Sequence, residues 1–223
     1  MIMGEQKPLD ILLGMLAPYD KIVLAGCHGC VTVCRAGGAK EVEILASSLR
    51  LGREAEGRPL EIKEVTLERQ CDPEYLEAMR PYLEDYQAVL SIACGAGIQF
   101  VAEKYTSTVV LPGLDTTFIG VTEKQGLWVE RCQACGNCVL HLTGGICPVA
   151  RCSKSLFNGP CGGTTTDGRC EVSKEIPCGW MLIIERLRSL NQLENYRKNL
   201  PMKSWKTSRD GGPRRISRED LME

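Results

Sequence analysis

The sequence contains little of what many functional classes need. Of its 223 residues, two are histidine (His28 and His141), three are phenylalanine, and 5% are aromatic. Structural zinc sites commonly mix histidine with cysteine, so this scarcity limits such sites. The formal net charge is −1, and a near-neutral chain has no general attraction to nucleic acid or to anionic membranes. No apolar run approaches the roughly 20 residues that span a bilayer.

Signals of export and of nucleotide binding are also missing. The opening residues, MIMGEQKPLDILLGMLAPYDK, have no basic leader, and Asp10 and Pro18 interrupt their apolar run. This is not the pattern of a secretory signal, so we expect a cytoplasmic protein in a reducing compartment. The segment GCHGCVTVCRAGG lacks the Lys–Ser/Thr ending of a P-loop and the spacing of a dinucleotide fingerprint. A phosphate-binding role for its glycines is therefore disfavoured.

Cysteine, in contrast, is abundant: the chain has 13, in two groups. The first group follows a strand-like KIVLAG and consists of Cys27, Cys30, Cys34, Cys71 and Cys94. The second group consists of Cys132, Cys135, Cys138, Cys147, Cys152, Cys161, Cys170 and Cys178. Several are spaced as CxxC, and thiolates two residues apart can turn toward one metal centre, whereas disulfides are rare in a reducing cytosol. Metal binding is the favoured interpretation.

The ligand type favours iron–sulfur clusters, which are held mainly by thiolates. The run CQACGNC repeats the CxxCxxC start of a bacterial ferredoxin motif, and Cys147 precedes Pro148, as the last cysteine of such a motif precedes proline. Cys147 lies nine positions after Cys138, whereas the ferredoxin interval is about four. One zinc site stays open as an alternative, drawn from Cys147, Cys152, Cys161, Cys170 and Cys178.

Residues 1–128 are predicted to form an α/β domain. Strand-like runs (KIVLAG, LEIKEVTL, QAVLSIAC and STVVLPG) alternate with helical patterns, and TFIGVTE is a last strand or an extended linker. This alternation predicts an open parallel sheet of flavodoxin-like type, with helices on both faces. The helical patterns are PLDILLGMLAPY, AKEVEILASSLRLGREAEG, PEYLEAMRPYLEDY and IQFVAEKYT.

That topology would bring the first cysteine group together, because loops that follow parallel strands leave the sheet at one carboxyl edge, where ligands bind. We therefore predict a 4Fe–4S centre bound by Cys27, Cys30, Cys34 and Cys94. Cys71 is kept as a reserve ligand, because its loop leaves the same edge but is flanked by the charged Arg69 and Asp72.

Residues 129–180 are predicted to be an irregular, cysteine-rich iron–sulfur module. Glycine, proline and cysteine dominate there, and such a segment orders itself only with inorganic cross-links. We expect one or two further centres, hence two or three 4Fe–4S clusters in all.

Residues 181–223 are predicted to be a helix with an apolar face (Met181, Ile184, Leu187 and Leu190) and a basic tail that becomes ordered only on a partner.

The sequence also resembles a known family. The segments that carry the resemblance are GCHGCVTVCRAGGAKEVEIL, CQACGNCVLHLTGGICPVARC, SKSLFNGPCGG and GRCEV, which together fall within roughly residues 20 to 190. They are similar to the small iron–sulfur subunit of acetogen-type methylenetetrahydrofolate reductase, a family also described by its methylenetetrahydrofolate reductase C-terminal domain.

The resemblance implies a role in electron transfer. In that family a separate barrel subunit carries the flavin and reduces methylenetetrahydrofolate to methyltetrahydrofolate in the reductive acetyl-CoA (Wood–Ljungdahl) pathway. This chain has no (β/α)8 repeat and is shorter than the usual barrel of about 250 residues. It would thus be the non-catalytic, electron-supplying subunit of an oxidoreductase complex. It would have no folate or flavin site and would be fed by ferredoxin or a larger electron-transfer complex.

Two other functional classes remain open at this point. One is a zinc-stapled interaction module whose basic tail binds nucleic acid, against which stands the near-neutral charge. The other is a redox enzyme with a catalytic dithiol at Cys27–Cys30. Cys34 and the other cysteines predicted at the same edge of the sheet favour a metal cluster over such a dithiol.

Overall fold

The structure, a computed structural model, describes residues 1–209 and 212–222. Its contacts divide the chain into two compact units, Met1–Trp128 and Val129–Glu223. The strands are β1 (Ile2–Gln6), β2 (Lys21–Cys27), β3 (Glu61–Leu67), β4 (Ala88–Ser91), β5 (Val109–Pro112), β6 (Leu114–Lys124) and β7 (Leu127–Cys132). The α-helices are α1 (Leu9–Leu16), α2 (Cys30–Val33), α3 (Ala39–Ala55), α4 (Pro73–Leu76), α5 (Gly95–Lys104), α6 (Pro148–Arg151) and α7 (Gly179–Ser189).

A four-stranded parallel sheet forms the core of the first unit, in the order β3-β2-β4-β5. Its central strand β2 is buried along most of its length, as its apolar sequence predicts. Successive side chains of a strand point to opposite faces, so Leu24 enters one apolar core and Val23 the other. Both faces of the sheet therefore need covering helices.

The helices supply that cover. Leu12 and Leu16 of α1 and Leu45 of α3 lie in the core that contains Leu24. On the opposite face, Leu76 of α4 and Val101 of α5 lie in the core that contains Val23. The predicted mixed α/β class with helices on both faces of a parallel sheet is confirmed. The flavodoxin-like assignment itself stays a prediction.

One predicted helix is shorter than expected. The pattern PEYLEAMRPYLEDY predicted a single helix, but α4 ends at Leu76 and a 3-10 helix follows over Glu77–Tyr82. Pro81 lies inside that second segment. Proline cannot donate the helical hydrogen bond and clashes with the preceding turn, so a continuous α-helix is unfavourable here.

A second sheet was not predicted from the sequence. It is three-stranded, in the order β1-β6-β7, and β1 pairs antiparallel with β6. The TFIGVTE segment, predicted as a strand or an extended linker, lies in strand β6. Strand β1 went unrecognised because MIMGEQ is too short to show a clear period of two.

The second unit has a small apolar core of its own. Cys178, Trp180, Ile183 and Leu187 are buried in it, and the Trp180 indole N–H donates to the Leu156 carbonyl oxygen at 2.9 Å. The predicted helix is present as α7, and Leu187 of the predicted apolar face is buried, but the rest of the buried face differs. Met181 and Ile184 are only half-buried, and Leu190 is exposed. The prediction started the apolar stripe one residue late and left out Trp180.

Within the described residues, no helix is both long enough and apolar enough to cross a membrane.

Candidate metal centres

The first cysteine group lies mostly along the carboxyl edge of the parallel sheet. Cys27 is the last residue of β2, Cys71 comes four positions after the end of β3, and Cys94 comes three positions after the end of β4. Strand β3 lies on one side of β2 and β4 lies on the other, so the chain changes its direction across the sheet after β3. Open α/β sheets bind ligands at such a switch point.

Backbone hydrogen bonds hold Cys27 at this edge. The Cys27 N–H donates to the Gly37 carbonyl oxygen at 2.8 Å, and the Gly29 N–H donates to the Cys27 sulfur at 3.4 Å. Gly37 has to be glycine, because a Cβ there would lie 1.8 Å from the Ile92 carbonyl oxygen. The loop after β2 thereby packs closely against the end of β4, which brings it near the segment that carries Cys94.

Cys71 is exposed as a residue, yet its sulfur is partly desolvated. Burial raises the pKa of the Cys71 thiol, and the neighbouring Cys94 and Cys27 sulfurs raise this pKa further. The sulfurs of Cys27 and Cys94 thus lie close enough to the Cys71 sulfur to interact with it electrostatically. Cys30, the first residue of α2, is half-buried three positions after Cys27.

Cys34 lies in a different environment. Its buried sulfur donates weakly to the Val31 and Gly4 carbonyl oxygens, at 3.5 and 3.7 Å. It lines a cavity of about 310 Å³ that strand β1 and Trp128 also line. The indole nitrogen of Trp128 is buried and has no hydrogen-bond partner within the described residues.

The eight cysteines of the second group divide into two sets of four. A cavity of about 330 Å³ is lined by Cys132, Cys135, Cys138 and Cys147. Val139, Leu140 and Val149 line the same cavity and give it an apolar wall. The ferredoxin-like spacing predicts that Cys132, Cys135 and Cys138 share a centre, and it leaves the fourth ligand undetermined.

Two sulfurs in this larger cavity accept backbone hydrogen bonds. The Ala134 N–H donates to the Cys132 sulfur at 3.3 Å, and the Ala150 N–H donates to the Cys147 sulfur at 3.5 Å. Hydrogen bonds to ligand sulfurs are a means by which proteins tune cluster potentials.

The other set surrounds a much smaller space. Cys152, Cys161, Cys170 and Cys178 line a cavity of about 20 Å³, which is room for one water-sized occupant. A hydrogen bond from the Ser153 hydroxyl is the main factor that lowers the pKa of the Cys170 thiol. The Thr164 hydroxyl donates to the Cys178 sulfur at 3.1 Å, and a Glu171 oxygen lies 3.2 Å from the Cys161 sulfur.

Among residues 1–209 and 212–222, no three His, Cys, Asp or Glu side chains stand in a ready-made arrangement around a metal ion. A four-iron cluster, however, interposes its own iron and sulfide between its cysteine ligands, so those ligands need not touch. A roomy cavity with four thiols, an apolar wall and N–H···S hydrogen bonds fits such a group. The 20 Å³ cavity does not have room for such a cluster.

The basic tail lies partly on the loop that carries the first ferredoxin-like cysteines. The Lys203 ammonium donates to the Asn137 carbonyl oxygen at 3.2 Å, and the Thr207 hydroxyl donates to the Cys135 carbonyl oxygen at 3.0 Å. The Arg214 guanidinium donates to the Ala134 carbonyl oxygen at 2.5 Å. This differs from the expectation that the tail becomes ordered only on a partner. Asp210, an acidic residue of that tail, lies outside the described residues.

Gly136 permits this contact between tail and loop. It has a φ of +78°, and a Cβ there would lie 2.2 Å from the Thr207 carbonyl oxygen. A side chain would both strain the backbone and displace the tail. The sequence signal for this contact is the glycine between Cys135 and Cys138.

Comparison with known proteins identifies the segment that carries these two cavities. Residues 111–206 match the family described as methylene-tetrahydrofolate reductase C terminal. This part of the chain is similar to that family. The predicted resemblance to the methylenetetrahydrofolate reductase C-terminal family is confirmed over these residues. Neither a curated protein nor a solved structure matches the chain at a significant level.

The methylene-tetrahydrofolate reductase C-terminal segment contains all eight cysteines of the second group, and both cysteine-lined cavities lie inside it. The cysteines from Cys27 to Cys94 precede it. The family match therefore relates the chain to a methylenetetrahydrofolate reductase, and it concerns the second group of cysteines directly.

Proposed function

We propose that this chain is the iron–sulfur subunit of a methylenetetrahydrofolate reductase complex in the reductive acetyl-CoA pathway. It would relay electrons from ferredoxin, or from a larger electron-transfer complex, to the flavin of a partner subunit. That partner would reduce methylenetetrahydrofolate to methyltetrahydrofolate, and this chain would contribute no folate or flavin site. The observation that carries the proposal is a four-cysteine cavity of about 330 Å³ inside the family segment.

The centres proposed for the second unit are based on the size of each cavity. A 4Fe–4S cluster would be held by Cys132, Cys135, Cys138 and Cys147, and a zinc ion by Cys152, Cys161, Cys170 and Cys178. A second 4Fe–4S cluster would lie at the carboxyl edge of the parallel sheet. A bound cluster supplies one electron at a time, whereas a flavin delivers the hydride that turns a methylene into a methyl group.

The residues of the larger cavity have separate tasks in this proposal. The four thiolates hold the centre, while Val139, Leu140 and Val149 keep water from it. Backbone N–H groups of Ala134 and Ala150 offset the negative charge on two of the sulfurs. Lys203, buried against the Asn137 carbonyl, adds a positive charge close to the same loop.

The electron relay can be tested with the whole protein. Anaerobically purified chain is mixed with its flavin-bearing partner and reduced ferredoxin, and flavin absorbance is followed by stopped flow. We expect flavin bleaching that requires this chain with its metals. The control is the same chain after removal of its metals. If ferredoxin reduces the flavin equally fast without this chain, the relay role is wrong.

The tail is proposed to bind the flavin-bearing partner through the surface that its own chain leaves open. Met202 and Ile216 are almost fully exposed, and the basic side chains of Lys206 and Arg215 are exposed near them. Apolar anchors surrounded by basic residues suit a partner surface with an acidic rim.

Charge reversal tests this surface. A Lys206→Glu/Arg215→Glu variant is expected to bind the flavin-bearing partner about tenfold more weakly at low salt, with the difference shrinking as salt screens the charges. The matched control is Lys40→Glu/Lys124→Glu, which makes the same charge change at exposed positions of the first unit. Calorimetric titration gives the affinities, and iron content should be unchanged. Equal weakening in both variants would show that net charge, not the tail, matters.

A further inference from the structure

A buried glutamine ties together the ends of three parallel strands. Gln70 is fully buried, and its side-chain nitrogen donates to the carbonyl oxygens of Ala25 and Gly26, at 3.0 and 2.9 Å. Its side-chain oxygen accepts a 2.6 Å hydrogen bond from the Ser91 hydroxyl. One side chain thus links the loop after β3 to the end of β2 and to the end of β4.

Each of these strand ends carries a cysteine. Cys27 directly follows Gly26, Cys71 directly follows Gln70, and Cys94 comes three residues after Ser91. Helix α5, which begins just after Cys94, packs against the same glutamine, since a Cβ at Gly97 would lie 2.9 Å from the Gln70 Cβ. The Gln70 hydrogen bonds therefore fix three cysteines from three loops around one region of the sheet edge.

Cys34 is held away from this region by its own contacts. The nearest polar partners of its sulfur are two carbonyl oxygens, those of Val31 and Gly4 on β1. The Cys27 sulfur also lies near a carbonyl oxygen, that of Glu68 at 3.9 Å, but it accepts the Gly29 N–H at 3.4 Å, whereas both contacts of the Cys34 sulfur are with carbonyl oxygens.

The geometry points to Cys27, Cys30, Cys71 and Cys94 as the ligands of the centre at the sheet edge, with Cys34 as a buried structural thiol. Cys30 completes the set because it forms a CxxC pair with Cys27, whose sulfur already accepts the Gly29 N–H. Gln70 is the positioning residue. This inference rests on the proposed function for the presence of a cluster, and it exchanges Cys71 for Cys34 in the set predicted from sequence.

Paired serine variants of the full chain test the exchange. Cys71→Ser is expected to lose about four iron atoms per chain and one electron paramagnetic resonance signal of the reduced protein. Cys34→Ser should keep both, because a serine hydroxyl can still donate to the two carbonyls. Cys34→Ala is a second variant in case the serine form fails to fold, and circular dichroism confirms folding of each.

The outcomes separate this inference from the proposed function. If Cys34→Ser and Cys34→Ala lose the iron while Cys71→Ser keeps it, the set predicted from sequence holds and the exchange is wrong. If the unmodified chain contains iron and Cys71→Ser retains all of it, the exchange alone fails. Absence of iron and sulfide from the unmodified, anaerobically purified chain would instead overturn the proposed function.

Discussion

A Cys138→Ser variant is expected to lack about four iron atoms per chain and to reduce the partner flavin at a small fraction of the normal rate. Cys138 lines the larger cavity together with Cys132, Cys135 and Cys147. A serine oxygen is a poor replacement for a soft thiolate ligand of iron. Because the other three sulfurs then hold the centre incompletely, we expect it to be lost rather than merely altered. Iron analysis and stopped-flow flavin bleaching measure the two effects.

The matched control is Cys161→Ser. Cys138 and Cys161 are both exposed cysteines of the second unit, but Cys161 lines the smaller cavity. This control should lower zinc by about one atom per chain and leave iron unchanged. If Cys161→Ser loses iron and Cys138→Ser does not, the two cavities have been assigned to the wrong metals.

Removal of all metal is expected to unfold much of the second unit and to leave the parallel sheet folded. The apolar core of the second unit contains Trp180, Ile183, Leu187 and Cys178, a small number for so long a segment. The two cores of the first unit are larger and consist mainly of aliphatic side chains. Binding energy for structural metal is largely folding energy in such small modules.

Hydrogen–deuterium exchange with mass spectrometry measures this effect along the chain. In the metal-free protein, amides between Cys132 and Cys178 should lose about 100-fold or more of their protection, while those of β2 to β5 should change little. In the same experiment, the amides of the loop from Cys27 to Cys34 show whether metal loss at the other centre has only a local effect. Full protection of residues 132–178 without metal would contradict this prediction, because it would mean that side-chain packing alone keeps the segment folded.

Much of the first unit could be predicted from the sequence because its strands are buried on both faces. Apolar runs such as KIVLAG and QAVLSIAC have few other stable placements, and helical patterns between them imply parallel pairing. The antiparallel sheet of β1, β6 and β7 was missed because its strands are half-exposed and lack a regular alternation. Pro81 breaks the predicted helix, which the apolar periodicity of that segment does not show.

The candidate sites were predictable in composition but not in grouping. Metal binding by cysteine follows from residue type, whereas the side of a loop on which a sulfur lies depends on neighbours far along the chain. Cys34 depends on Gly4, and Cys71 depends on Gln70 and its partners. The contact of Thr207 with the Cys135 carbonyl likewise joins residues 72 positions apart. No local pattern encodes such pairs.

The central claim is that this chain is a carrier of iron–sulfur clusters, and its metal content tests that claim most directly. Iron, acid-labile sulfide and zinc should be measured on anaerobically purified full-length protein, with electron paramagnetic resonance of the reduced state. We predict about eight iron, about eight sulfide and about one zinc per chain, and two overlapping cluster signals. Protein that contains zinc but no iron and no acid-labile sulfide would contradict the account.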